Sequence, residues 1–198
     1  MPRLIRYYIH GVDWFNRKVG RFVMYGIFVM MGILLWSSLS KTFLTPSMWT
    51  LEMAQFAMVA YYVLGGPYSV QMGSNVRMDL FYGEWTLRQR AIVDAMTVFF
   101  LGFYLVILIH GAVGSSAYSL GHFGVEPYTF YKDLVMAYVT GGKEAASEII
   151  GYIERSPTAW RPVLWPIKLI MVFGFILMLL QAISELMKDI ARIRGVDY

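Results

Sequence analysis

The sequence contains no cysteine, and only 15% of its residues are charged. The absence of cysteine excludes disulfides, thiolate metal sites and cysteine nucleophiles. An ordinary soluble domain carries about 25% charged residues, so this chain is too poor in charge to coat a water-soluble surface. Its basic residues fall at the ends of apolar segments rather than in one patch, which argues against a nucleic-acid partner.

Apolar residues, by contrast, are abundant: hydrophobic types make up 58% of the chain and aromatic types 17%. A helix needs about 20 mostly apolar residues to cross the hydrocarbon core of a bilayer. Four segments meet that length, and each is apolar on all sides rather than striped like the helices of a soluble bundle. We therefore predict an all-α membrane protein with four transmembrane helices, at about 22–40, 49–70, 91–113 and 163–183. We expect SELMKDIARIR to prolong the fourth beyond the bilayer as a charged helix.

The first twenty residues differ from these spans because they are amphipathic. At about 100° per residue, apolar side chains share a face about 120° wide, and polar ones lie opposite. This pattern predicts an in-plane helix over residues 1–20. A signal peptide is the alternative, but the basic region is too long and no small-residue cleavage site follows. The apolar face holds Ile5, Tyr8, Ile9, Val12, Phe15 and Val19, and the polar face holds Arg3, Arg6, His10, Asp13, Arg17 and Arg21.

Basic residues indicate the orientation, because cytoplasmic loops carry an excess of Lys and Arg. With four spans, the N-terminus, the second connection and the C-terminus share one side, which holds eleven basic residues. The opposite side holds five. The count predicts that both termini are cytoplasmic.

The second connection, SNVRMDLFYGEWTLRQR, is both apolar and charged. We interpret it as an interfacial segment in which Arg77 faces the lipid headgroups beside Asp79; an ordinary cytoplasmic loop is the alternative. The outer connection, residues 114–162, is predicted to hold two short amphipathic helices separated by Thr140-Gly141-Gly142. Trp160 and Trp165 then sit at the depth of an aromatic belt.

Chemistry-bearing residues inside the spans are few. Glu52 and Asp94 lie near span ends, and Lys168 can extend its ammonium to the interface. His110 is the one histidine within a span, so a haem between spans lacks its second axial ligand. No acidic or histidine cluster has metal-ligand spacing. We predict no catalytic residue, no cofactor and no metal site.

Gly65-Gly66-Pro67, in the second span, has two interpretations. It is a kink that allows close helix packing or the broken helix of a substrate site. The kink is favoured because the sequence contains no second interrupted span and no internal repeat.

This layout resembles the small membrane subunit of tripartite ATP-independent periplasmic (TRAP) transporters, the DctQ-like family. WTLEMAQFAMVAYYVLGG, which begins at Trp49 and includes Glu52, is similar to the family's Trp and acidic start. GSNVRMDLFY resembles its G-x-H-V-R-V-D segment, and SPTAWRPVLWPIKLIMVFGFILMLLQAI resembles its closing Pro, Trp and Pro before an apolar span. The likeness covers about residues 19–185. Two features depart from the family: Asn75 replaces a frequent His, and the outer connection is longer than in small members.

The resemblance implies a non-catalytic scaffold in the bacterial inner membrane. A larger membrane subunit holds the substrate and sodium sites, and a periplasmic binding protein delivers the ligand, usually an organic acid. The residues expected to anchor the subunit in lipid or against its partner are Arg17, Arg21, Trp49, Glu52, Arg77, Asp79, Trp160, Trp165 and Lys168. The alternatives are a membrane anchor for a redox enzyme, with or without haem, and a small autonomous channel or exporter.

Overall fold

The computed structural model describes residues 3–73 and 85–195, apart from the side chains of Leu87 and Arg88. Over these ranges the chain is helical with no β-strand, which confirms the predicted all-α class. The helices are α1 (Arg3–Met24), α2 (Gly26–Phe43), α3 (Thr50–Gln71), α4 (Leu87–Ser119), α5 (Pro127–Ile149) and α6 (Trp165–Arg194).

Three of the described helical segments are long and apolar enough to cross a membrane: Arg3–Phe43, Gln89–Ser119 and Trp165–Arg194. The first joins α1 and α2, which are separated by the turn residue Tyr25 alone. Helix α3, the predicted second span, has 22 residues but is not among the three. Its crossing of the membrane therefore stays a prediction.

Several helix ends differ from the predicted span ends. Helix α3 begins at Thr50, one residue after the predicted start of the second span, and residues 44–49 are bends and irregular chain. Helix α4 continues six residues beyond the predicted end, to Ser119. Helix α6 continues to Arg194, which confirms the predicted charged extension of the fourth span.

The predicted break in the outer connection lies at Gly142. Its backbone is non-helical (φ 71°, ψ −155°), so α5 consists of two helical pieces. The positive φ suits glycine, which lacks the Cβ that disfavours this conformation in other residues. The second piece ends at Ile149, because the chain is then extended at Ile150 and pairs with the end of α4.

The chain forms two compact units. Unit 1 comprises Met1–Gly26, Tyr61–Leu108 and Gly174–Tyr198, and unit 2 comprises Ile27–Ala60 and Ile109–Phe173.

Unit 1 is packed through glycines at close helix approaches. A Cβ added at Gly20 would lie 2.3 Å from the Cβ of Tyr68, and one at Gly174 would lie 2.3 Å from Cγ1 of Val63. One at Gly66 would lie 2.6 Å from the Cε of Met178. Helix α3 continues past this glycine to Gln71, which supports close packing rather than a broken helix.

Unit 2 has a small apolar core between α4 and α5. Ala117, Leu120 and Phe130 are buried, and Tyr131, Leu134, Ile149 and Trp165 pack against them. The turn after α4 closes on Gly121 (φ 89°), where the Gly151 amide donates to the Leu120 carbonyl at 3.0 Å. A Cβ at Gly121 would lie 2.5 Å from the Gly151 carbonyl carbon, so this turn requires glycine.

Candidate functional site: a buried polar cluster and a braced loop

A polar cluster joins α1 to α6 in unit 1. The ammonium of Lys188, which is 7% exposed, lies 2.8 Å from Asp13 Oδ2 and 2.8 Å from Glu185 Oε1. The second oxygen of Asp13 accepts hydrogen bonds from Gln181 Nε2 at 3.0 Å and Ser184 Oγ at 3.2 Å. Each charge in this buried site is therefore hydrogen-bonded, which burial demands.

Asn16 extends the cluster and leaves one acceptor unpaired. The Gln181 amide must direct its Nε2 at the Asp13 and Glu185 carboxylates, which fixes its Oε1 toward Asn16 Nδ2 at 2.7 Å. Asn16, which is 2% exposed, is thereby oriented so that its Oδ1 is buried without a partner among the described residues. A buried amide oxygen of this kind is a natural position for an ordered water.

The same contacts place α1 against one short stretch of α6. Tyr8 and Asn16 are eight residues apart, about 12 Å along a helix, yet they bond to adjacent residues, Leu180 and Gln181. Asp13 meanwhile bonds to both Gln181 and Lys188, which are seven residues apart. The contacts of α1 therefore fall on one stretch of α6, from Leu180 to Lys188.

The face of α1 that packs inward was only partly predicted. Ile9, Asn16 and Gly20 are its buried residues. Ile9 was placed on the apolar face, but Phe15 of that face is 42% exposed. Asp13, placed on the polar face, instead faces α6 through its contact with Lys188. Apart from Phe15, the predicted apolar face of α1 is buried or partly buried within the protein.

The cluster suits a structural cross-link rather than catalysis. Among residues 3–73 and 85–195, no group of three or more His, Cys, Asp and Glu could hold a metal ion. Lys188 occupies the position between the two carboxylates and would repel a cation. Gln181, Ser184, Glu185 and Lys188 follow the i, i+3, i+4, i+7 spacing of one helix face.

In unit 2, Glu52 holds the loop that precedes α6. The Glu52 side chain is 4% exposed, and its Oε1 accepts hydrogen bonds from Ser156 Oγ at 2.7 Å and from Thr158 Oγ1. Glu52 lies in the first turn of α3, where the positive end of the helix dipole favours a carboxylate. The loop is therefore fixed to a helix end by a buried charge.

The held loop is a small antiparallel turn. Arg155 pairs with Val163 in an isolated bridge, and the Ser156 amide donates to the Pro162 carbonyl at 2.9 Å. Arg161 at its tip has a positive φ of 48°, which costs energy in a non-glycine residue. The neighbouring Trp160 is 41% exposed. We call residues 154–164 the braced loop.

Lys168, predicted as an interfacial anchor, supports the same loop from α6. Its ammonium forms an ion pair with Glu154 and donates to the Ser115 carbonyl at 3.2 Å. It also lies 5.8 Å from the centre of the Tyr118 ring.

The other predicted anchors are distributed over both units. Trp165 is partly buried against the core of unit 2, whereas Trp49 is 37% exposed. Arg17 and Arg21 are exposed on α1. Arg77 and Asp79 lie outside the described residues. Their role as anchors stays a prediction.

Two hydrogen bonds tie α4 to α5 within unit 2. Tyr131 donates to Ser116 Oγ at 2.7 Å, and Nδ1 of His110 lies 3.0 Å from the Tyr128 hydroxyl. Burial raises the pKa of the Tyr131 phenol, while the hydrogen bond with Ser116 acts in the opposite direction. The phenol therefore stays protonated at neutral pH and remains a donor.

A family model described as "Tripartite ATP-independent periplasmic transporters, DctQ component" matches residues 30–192 of this chain. Comparison with curated proteins gave no match, and neither did comparison with solved structures.

Proposed function

Because this chain belongs to the DctQ component family of tripartite ATP-independent periplasmic transporters, a non-catalytic transport family, we propose that it is the small permease subunit that scaffolds the large membrane subunit. In this proposal the complex drives uptake of an organic acid with sodium, and a periplasmic binding protein delivers the acid. Both termini lie in the cytoplasm and α3 completes four membrane crossings.

The observation that carries the proposal is how little of the apolar surface this chain buries by itself. In the most apolar stretch of Arg3–Phe43, 0% of the residues are buried. In the corresponding stretch of Gln89–Ser119, 6% of the residues are buried. In Trp165–Arg194 the share is 33%. Helices with so much exposed apolar surface need an apolar environment on most sides, which lipid and a larger membrane protein supply together.

The two sites described above support a static rather than a moving role. The ion pairs of Lys188 and the hydrogen bonds to the buried Glu52 carboxylate both connect segments that are distant in the sequence. Packed interiors have low compressibility and transmit strain, which suits a support for a moving partner. Interfacial Arg and Trp side chains further set how a helix lies in the bilayer.

Co-expression with the large subunit tests the proposal. The chain carrying an affinity tag should retain the large subunit through purification in mild detergent, and cells lacking the chain should lose sodium-dependent uptake. A complex that forms and transports equally well without the chain would refute the scaffold role. A haem absorption band in the purified protein would favour a redox anchor instead.

Arg77 and Asp79 remain proposed anchors in this scheme. Arg77→Glu should reduce the amount of assembled complex in the membrane fraction, since it reverses the charge expected to face anionic headgroups. Lys132→Glu, an exposed charge reversal on α5, serves as the control.

A further inference from the structure

Helix α1 has a second apolar face that the protein leaves uncovered. Leu4 is 83% exposed, Tyr7 80%, Trp14 58% and Phe22 81%. At about 100° per residue, these side chains share a sector about 80° wide, roughly opposite the buried Ile9 and its neighbours. Aromatic side chains with a polar edge are typical of the membrane–water interface.

A basic row borders this apolar face. It occupies a sector about 60° wide on the helix, and all of its members are exposed: Arg3, Arg6, His10, Arg17 and Arg21. Lys18 adds a further cation, whose ammonium lies 4.2 Å from the centre of the Trp14 ring. An exposed aromatic face beside a row of cations matches the surface of a bilayer that contains anionic lipid.

An apolar groove lies between α1 and α3 in unit 1. Its volume is about 390 Å³, and it is partly open to the surroundings of the protein. Tyr61, Tyr62, Gly65 and Met72 form much of its α3 wall, and Gly20, Val23 and Met24 form its α1 wall. A Cβ added at Gly65 would meet no atom within 4 Å, so this glycine faces open space.

Two arginines of the basic row are one helical turn from residues that line the groove. Residues three or four positions apart on a helix are surface neighbours. Gly20 is three residues from Arg17, and Met24 is three residues from Arg21. The guanidinium groups are therefore within reach of a ligand whose apolar part occupies the groove.

We propose that this groove binds an anionic glycerophospholipid, with its phosphate at Arg17 and Arg21 and one acyl chain against Tyr61, Tyr62 and Gly65. Arginine suits the headgroup because its planar fork pairs with phosphate in a bidentate manner. The amphipathic sequence of α1 predicts that this helix lies along the membrane surface. The lipid then joins α1 to α3 at the depth where headgroups meet acyl chains.

Charge favours this occupant over a second copy of the chain. Two copies meeting at this face would bring like-charged rows together, which costs energy. An anionic lipid instead neutralises the row, and each Lys or Arg near an anionic surface contributes about 1 kcal/mol, or about fivefold in binding. Lipid binding is a property distinct from the scaffold role, because lipid retention can be measured without measuring transport.

Native mass spectrometry of the full chain, alone and with its large subunit, tests the proposal. Dioleoyl phosphatidylglycerol and dioleoyl phosphatidylcholine are added in turn, and inorganic phosphate is the soluble competitor. The wild type should retain phosphatidylglycerol in preference to phosphatidylcholine, in both preparations, and phosphate should not displace it. Arg17→Gln with Arg21→Gln should lower that preference by up to about fivefold for each charge removed.

Gly65→Leu should abolish retention of both lipids because leucine fills the groove from a position with free space. Gly32→Leu, which also meets no atom within 4 Å but does not line the groove, should bind like the wild type. Equal retention of both lipids by the wild type would overturn the proposal, as would unchanged preference in the double arginine variant. Loss of lipid on addition of the large subunit would show that protein occupies the groove, which also overturns it.

Discussion

The two units are stabilised by different chemistry. Unit 1 connects α1 to α6 through opposite charges, with Lys188 between Asp13 and Glu185. Unit 2 instead fixes the braced loop through hydroxyl groups on one carboxylate, Glu52, beside a small apolar core. Removing one member of a buried ion pair leaves a charge uncompensated, whereas loss of a hydroxyl contact costs less. Unit 1 should therefore be the more sensitive of the two to a single substitution.

Asp13→Ala should have the largest effect on stability. It leaves Lys188 buried with Glu185 alone, and breaking a buried pair in this way costs about 3–5 kcal/mol. The midpoint of denaturant unfolding in detergent measures the loss. His10→Ala, an exposed residue of the same helix, should change it by no more than about 0.5 kcal/mol. Equal effects for the two variants would show that the cluster does not stabilise unit 1.

Gly20→Ala tests how closely α1 approaches α3. The new Cβ would lie 2.3 Å from the Cβ of Tyr68, so the helices must separate, at a cost of about 1–3 kcal/mol. Gly11→Ala on the same helix meets no atom within 4 Å and should be neutral or stabilising, since alanine is the better helix former. Thermal unfolding of both variants in detergent gives the comparison, and matched values would contradict the packing described.

Glu52→Gln should have a smaller and more local effect in unit 2. The amide keeps one acceptor oxygen but loses the charge, which weakens the bonds from Ser156 and Thr158 by about 1–2 kcal/mol. Amide hydrogen exchange in the braced loop should accelerate, while exchange in α5 stays constant. Glu144→Gln, an exposed change in α5, is the control. Unchanged exchange in residues 154–164 would show that Glu52 does not hold the loop.

Sequence alone predicted the helices well because their apolar length and their glycine breaks are local properties. The break at Gly142 and the extension of α6 to Arg194 are examples. It predicted only part of the face of α1 that packs inward: Ile9 is buried, but Asp13, assigned to the polar face, contacts Lys188. That contact joins residues far apart in the chain, which helical periodicity cannot reveal.

The partners of Glu52 were likewise beyond prediction. Ser156 and Thr158 lie 104 and 106 positions away in the chain, and neither has a distinctive spacing. The membership of the family was predictable, since it rests on motifs and layout that the family model also detects over residues 30–192.

Flux in proteoliposomes tests the central claim most directly. The purified chain is reconstituted alone, and in parallel with its large subunit and the periplasmic binding protein, under an inward sodium gradient. The account predicts no uptake of organic acid by the chain alone and sodium-dependent uptake by the complete assembly. Uptake by the isolated chain would contradict it, as would an assembly whose rate is unaffected when the chain is left out.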